Sequence, residues 1–116
     1  MRPRYRVWDK EEKKMIYDAE NTYDSYPVNI SSFGIILDLP NFYDVMQYTG
    51  LKDKDGKRIS AGDILTWGNN VIAKVYWADD LAMFRCVIEG TEEFDLFAFN
   101  QEASIIGNIY ENKDIT

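Results

Sequence analysis

Histidine is absent from this 116-residue chain, and cysteine occurs once, as Cys86. The first absence excludes Ser-His-Asp and Cys-His catalytic sites and any histidine-ligated zinc. The second excludes a disulfide within the chain. Cys86 lies in Met83-Phe84-Arg85-Cys86-Val87-Ile88 with no neighbouring base to activate it, and reads as a small buried apolar side chain in a strand. No apolar run approaches the roughly 20 residues that span a bilayer, and the opening MRPRYRVWDKEEKK has no signal-peptide core. There is no GxGxxG or Walker-type loop, no repeat, no low-complexity tract and no sustained 3.6-residue apolar period. The expectation is a cytoplasmic protein with no membrane partner, no cofactor and no metal. In that setting the sequon Asn29-Ile30-Ser31 carries no meaning.

What is present is apolar and aromatic. The apolar fraction of 46% and the aromatic fraction of 15% are those of a folded protein. The length suits a single domain over 1–116. A net charge of −7 disfavours non-specific attraction to phosphate backbones. That average hides an asymmetry. Residues 1–14 carry six basic groups against three acidic, whereas residues 75–112 carry one basic group, Arg85, against eight acidic.

Period-2 alternation dominates the chain. Tyr5 and Val7 alternate with Arg4, Arg6 and Trp8, and Met15 and Tyr17 alternate with Lys14 and Ile16, with Asp9–Lys13 a link of hairpin length. Residues 18–29 read as loop. Phe33-Gly34-Ile35-Ile36-Leu37 reads as a buried strand with a bulge at Gly34, and residues 41–45 as a helical turn. Val71 to Trp77 is the cleanest strand, followed by strands at 81–89, 94–99 and 105–110, with Gly68-Asn69-Asn70 and Gly90–Glu93 as turns. The fold class expected is mainly β with minor α: a small, barrel-like, strongly bent antiparallel sheet with an N-terminal hairpin.

The centre of the chain is the stretch Met46 to Leu65. Met46 and Tyr48 alternate with Val45, Gln47 and Thr49 until Gly50 ends the strand. Asp53-Lys54-Asp55-Gly56 is then a tight turn, Ile59 returns the chain to the core, and Ala61-Gly62-Asp63 bends it again before Ile64–Trp67. Asp53, Asp55 and Gly56 resemble the start of a calcium loop. An EF-hand needs Gly at position 6 and Glu at 12, and both registers fail: one puts Gly62 at 12, the other Ile64.

Three pieces of this sequence resemble one family. Tyr48-Thr49-Gly50-Leu51-Lys52-Asp53, followed by Asp55-Gly56-Lys57 and Gly62-Asp63-Ile64, is similar to the signature of the YopX family. Arg4–Asp9 with Lys13–Ile16 resembles its opening hairpin, and Ile106–Asn112 its closing segment. The resemblance implies a bacteriophage or prophage origin. It implies no activity.

Candidate sites are few. The acidic groups at Asp79-Asp80 and at Glu92, Glu93 and Asp95 read as solvated turn charges, since nothing in the pattern encloses them. The candidate binding set is basic and aromatic: Arg4, Arg6 and Trp8 (with Arg2) in the N-terminal hairpin, and Lys52, Lys54, Lys57 and Arg58 in the central loop. Cations interleaved with rings serve single-stranded nucleic acids, but the net charge opposes that role. The expected function is a non-catalytic binding or assembly module for an unknown host or phage protein. Alternatives are an accessory nucleic-acid binder and an acidic inhibitor of a host nucleic-acid enzyme. Self-association is also expected, because Phe94, Leu96, Phe97 and Phe99 on one strand cannot all face one core. Such an apolar contact would tighten as salt screens the negative charge.

Overall fold

A computed structural model describes residues 4–21, 37–68, 71–88 and 92–112. The expected strand at Phe33–Leu37 falls outside them except for the exposed Leu37, as do Arg2, Asn69, Asn70 and Gly90. Within the described residues strand outweighs helix by 56% to 8%, which fixes the class as mainly β, with one strongly curled half-barrel sheet and a second sheet. The chain divides into two compact units, Met1–Tyr48 and Thr49–Thr116.

In the first unit β1 (Tyr5–Asp9) pairs antiparallel with β2 (Lys14–Ile16) and with the first part of β3 (Tyr43–Lys52). This is the expected N-terminal hairpin. Its turn is shaped by Asp9, whose Oδ1 accepts the N–H groups of Glu11 and Glu12, both at 3.0 Å. Short Asp side chains favour turns by bonding amides two or three residues on. Val7 sits opposite both Ile16 and Val45, and with Ala19 forms a small core to which Ile16, Tyr43 and Val45 pack. Ala19–Asn21 is a 3-10 turn within the segment read as loop, and the Glu20 carboxylate accepts the Tyr5 N–H at 2.7 Å.

Two expectations are corrected along β3. Residues 41–45 hold no helical turn, because Tyr43 already pairs with Asp9 and Asp44 with Trp8. The ladder on β1 outweighs a single unsupported turn of helix. Nor does Gly50 end the strand. It takes φ +88 inside a strand that continues to Lys52, and the Thr49 hydroxyl bridges the spot, donating to Ile59 O at 2.8 Å and accepting Leu51 N–H at 3.1 Å.

In the second unit the end of β3 turns into β4 (Arg58–Ser60). A five-stranded antiparallel sheet follows, built from β5 (Asp63–Trp67), β6 (Val71–Ala78), β7 (Met83–Ile88), β8 (Glu92–Asp95) and β9 (Ser104–Asn108) in the order β8-β7-β6-β5-β9. Ile59, Leu65, Val75, Leu96 and Ala103 form its core, with Leu51, Trp67, Phe84 and Ile105 packed against them. Burying each of the large aliphatic chains contributes about 1.5–3 kcal/mol. The alternation read along β6 holds at Ala73 and Val75, buried, and Lys74, exposed, but Trp77 is 46% exposed.

The strand expected at 94–99 is half helix. β8 stops at Asp95, and α1 (Leu96–Phe99) makes one turn that brings residues three apart to the same side. Leu96 is then fully enclosed, and Phe99 stacks on Trp67 with centroids 5.2 Å apart. Phe94 meets both rings edge-on at 6.4 and 5.1 Å. Three of the four residues argued to leave an apolar face are thus packed inward, and Phe97 alone of them projects, 63% exposed. The final strand likewise stops at Asn108 rather than Tyr110, because the Asn108 Oδ1 captures the N–H groups of Tyr110 and Glu111 at 3.0 and 2.9 Å.

Candidate functional site

The best-defined surface feature is the hairpin joining β3 to β4, and its geometry starts at Asp53. Asp53 N–H donates to Lys57 O at 2.9 Å and Gly56 N–H to Asp53 O at 3.1 Å, with Gly56 at φ +81. This is a three-residue hairpin loop whose last residue needs the left-handed region, which glycine enters without a Cβ penalty. The Asp53 side chain, only 5% exposed, reinforces it: Oδ1 accepts Asp55 N–H at 2.9 Å and Lys57 N–H at 2.8 Å.

The other carboxylate oxygen reaches out of the loop. Asp53 Oδ2 accepts the Ile105 N–H of β9 at 3.0 Å, and Lys54 N–H donates to Ala103 O at 2.9 Å. The Asn100 side-chain amide donates to Lys52 O at 2.7 Å, and the Ser104 hydroxyl reaches Asp55 at 3.4 Å. Burial alone pushes the Asp53 carboxyl up. The N–H groups of Ile105, Lys57 and Asp55, with the Lys57 charge, outweigh that and hold its pKa below the usual 3.8. One buried carboxylate therefore ties the hairpin to itself and to the edge of the second sheet. Both its oxygens accept amide N–H groups.

On this clamped backbone Lys52, Lys54, Lys57 and Arg58 are all exposed. The bond between Asp53 and Lys57 places Lys52 opposite Arg58 one position back, so two cations stand side by side across the hairpin. Lys52, Lys54 and Lys57 enter no ion pair among the described residues. Asp55 and the nearby Glu102 are the exposed acids beside them.

The other members of the expected set lie on β1, in the first unit. Arg4 and Trp8 are half-buried, and Arg6 is only 9% exposed with its Nε enclosed, so little of Arg6 is open to a partner. Alternation put Arg6 on one face of β1 but gave no sign that this face is covered.

Among the acidic candidates, Glu93 and Asp95 are engaged by neighbouring strands. Arg85 reaches Asp95 at 3.3 Å and Glu93 at 3.9 Å, and the Tyr76 hydroxyl donates to Glu93. These acids form a cross-strand network over β6, β7 and β8. Burial pushes the Cys86 thiol up to about 11, far from the range of a reactive thiolate. No group of metal-ligating side chains occurs among the described residues, and no helix among them is long and apolar enough to cross a membrane.

The closing segment has its own logic. Asn112 N–H donates to Asn108 O at 3.0 Å, and Asn112 Oδ1 accepts Asn108 N–H at 3.1 Å. A Cβ on Gly107 would stand 2.5 Å from that same Asn112 oxygen. A side chain at 107 would have to displace Asn112.

Taken together the chain is an antiparallel, mainly β protein displaying a clamped basic hairpin. The family described as YopX protein matches residues 4–115, and the chain belongs to that family. Among solved structures it is similar to the crystal structure of protein EF1440 from Enterococcus faecalis, at 24% identity and a TM-score of 0.63. The likeness covers 99% of this chain and 98% of that one. It shows a shared fold. No curated protein matches significantly.

Proposed function

We propose that this YopX-family chain is a phage- or prophage-encoded, non-catalytic binding or assembly module of the host cytoplasm, and that the Lys52–Arg58 hairpin is its principal contact surface. The observation that carries the reading is the clamp. Four exposed cations stand on a backbone fixed by Asp53 and Asn100, so docking them orders side chains but not the loop itself. Preorganisation of this kind favours recognition because less entropy is lost on binding. Arg4 and Trp8 remain secondary candidates on the other unit.

The acidic balance of the whole chain favours a protein partner over nucleic acid. A nucleic acid's charge continues along the surface onto Asp55 in the loop itself and Glu102 beside it, whereas the carboxylates of a protein surface come in a bounded set. Capture of host and phage proteins by the tagged chain, run beside a Lys52→Glu/Lys54→Glu/Lys57→Glu variant of unchanged melting temperature, tests the reading. Partners held by the wild type and lost by the variant are expected. Identical captures would remove the hairpin from consideration. A gel shift whose affinity falls steeply with salt would instead favour the nucleic-acid alternative.

A further inference from the structure

A second feature of the same unit complements the hairpin. The turn between β6 and β7 carries Asp79 and Asp80, both exposed and in no ion pair among the described residues. Two large apolar side chains flank them, Trp77 at 46% and Leu81 at 48% exposed. Trp77 rests edge-on against Phe84, with centroids 4.9 Å apart, so its ring is held in place while nearly half of it faces solvent. Two neighbouring carboxylates bracketed by exposed apolar groups match cations lying next to an exposed ring. An exposed ring three residues before Asn100, whose amide is bonded to Lys52, is Phe97, at 63%.

The two features sit at opposite ends of the five-stranded sheet. The hairpin is bonded to Ile105, which pairs with Leu65, and Leu65 pairs with Ala73. From Ala73 the strand β6 runs on to Ala78 before the acidic turn begins. Five residues of strand, about 17 Å, lie between the two along β6.

We infer that the hairpin's partner is a second copy of this chain, in a two-fold dimer in which the Trp77–Leu81 turn of each protomer docks on the Lys52–Arg58 hairpin and Phe97 of the other. This rests on the hairpin being the contact surface. A two-fold arrangement makes both contacts at once, each side supplying what the other lacks. It fills the hairpin with a bounded set of carboxylates and covers Trp77, Leu81 and Phe97 together. Because charge pairing orders the contact, association weakens as salt rises, the opposite of the behaviour expected of a purely apolar face.

Light scattering after size exclusion, at roughly 50 µM protein and at low and high salt, tests this on the whole chain. The expected result is a dimer at low salt that dissociates progressively at high salt. Lys54→Glu/Lys57→Glu and Asp79→Lys/Asp80→Lys are each expected to weaken it by about tenfold or more. Combining both pairs in one chain restores association, because the signs are exchanged and the pairing is kept. Leu81→Ser weakens it without a change of sign. Melting temperatures near that of the wild type certify each fold. A wild-type monomer under every condition, or a dimer indifferent to both charge reversals, would overturn the dimer. So would a combined variant that stays as weak as its parents. A fluorescein-labelled oligothymidylate that binds the wild-type monomer and is lost with Lys54→Glu/Lys57→Glu would also overturn it, in favour of nucleic acid. If the dimer fails while the capture comparison still depends on the hairpin, the binding-module reading survives. If both fail, it falls as well.

Discussion

Replacing Asp53 by Asn tests whether one carboxylate holds the contact hairpin in shape. Asn is nearly isosteric, but only one of its two terminal atoms accepts hydrogen bonds. If its oxygen keeps the N–H groups of Asp55 and Lys57, its NH₂ faces the Ile105 N–H, donor against donor. The flipped rotamer keeps Ile105 and loses the other two. Hydrogen bonds to a charged acceptor contribute about 1.5–3 kcal/mol each, and an unsatisfied partly buried donor costs a similar amount. A loss of about 2–3 kcal/mol is therefore expected, which lowers Tm by roughly 10 °C or more in a unit of this size.

The pH dependence supplies a second check. The folded-state pKa of Asp53 lies below its ordinary 3.8, so the stabilisation is complete above that value and is lost as pH falls through the folded value. The gap in Tm between wild type and Asp53→Asn should be constant from neutral pH to about pH 5 and should narrow below 3.8. Thermal melts followed by circular dichroism at several pH values measure both quantities. A drop of less than a degree or two, or a gap that stays the same well below the ordinary value, would refute the clamp.

Gly56 and Gly62 sit at φ +81 and +88, so Val at either should lower stability by about 1 kcal/mol or more, and two unchanged melting temperatures would contradict this. Gly107→Ala should cost about 1–3 kcal/mol, because its methyl group displaces the Asn112 side chain from Asn108; a chemical denaturation midpoint equal to wild type would show that the turn yields freely. Millimolar calcium should leave Tm unchanged, since both Asp53 oxygens already accept amides; a rise abolished by Asp55→Asn would prove otherwise.

The local chemistry of this chain was legible in its residues. Asp53 through Gly56 specifies its hairpin because a short carboxylate bonds the following amides and glycine accepts positive φ, whatever lies elsewhere. The alternation at Ala73, Lys74 and Val75 and the exposure of Lys52, Lys54, Lys57 and Arg58 follow from equally local causes. Membership of the mainly β class followed from the same period and punctuation. The tertiary structure decided what depends on partners far along the chain. Asp53 meets Ile105 across 52 positions, and Asn100 meets Lys52 across 48. Leu96 and Phe99 leave the strand pattern for a helical turn because the core offers Leu96 a pocket and Phe99 the face of Trp67, which strand propensity cannot register. Alternation assigns residues to two faces without saying which is covered or where a sheet runs out. For that reason the burial of Arg6 and the exposure of Trp77 and Phe97 were fixed only when the strands took their order, since burial belongs to the neighbours a residue acquires and not to the residue itself.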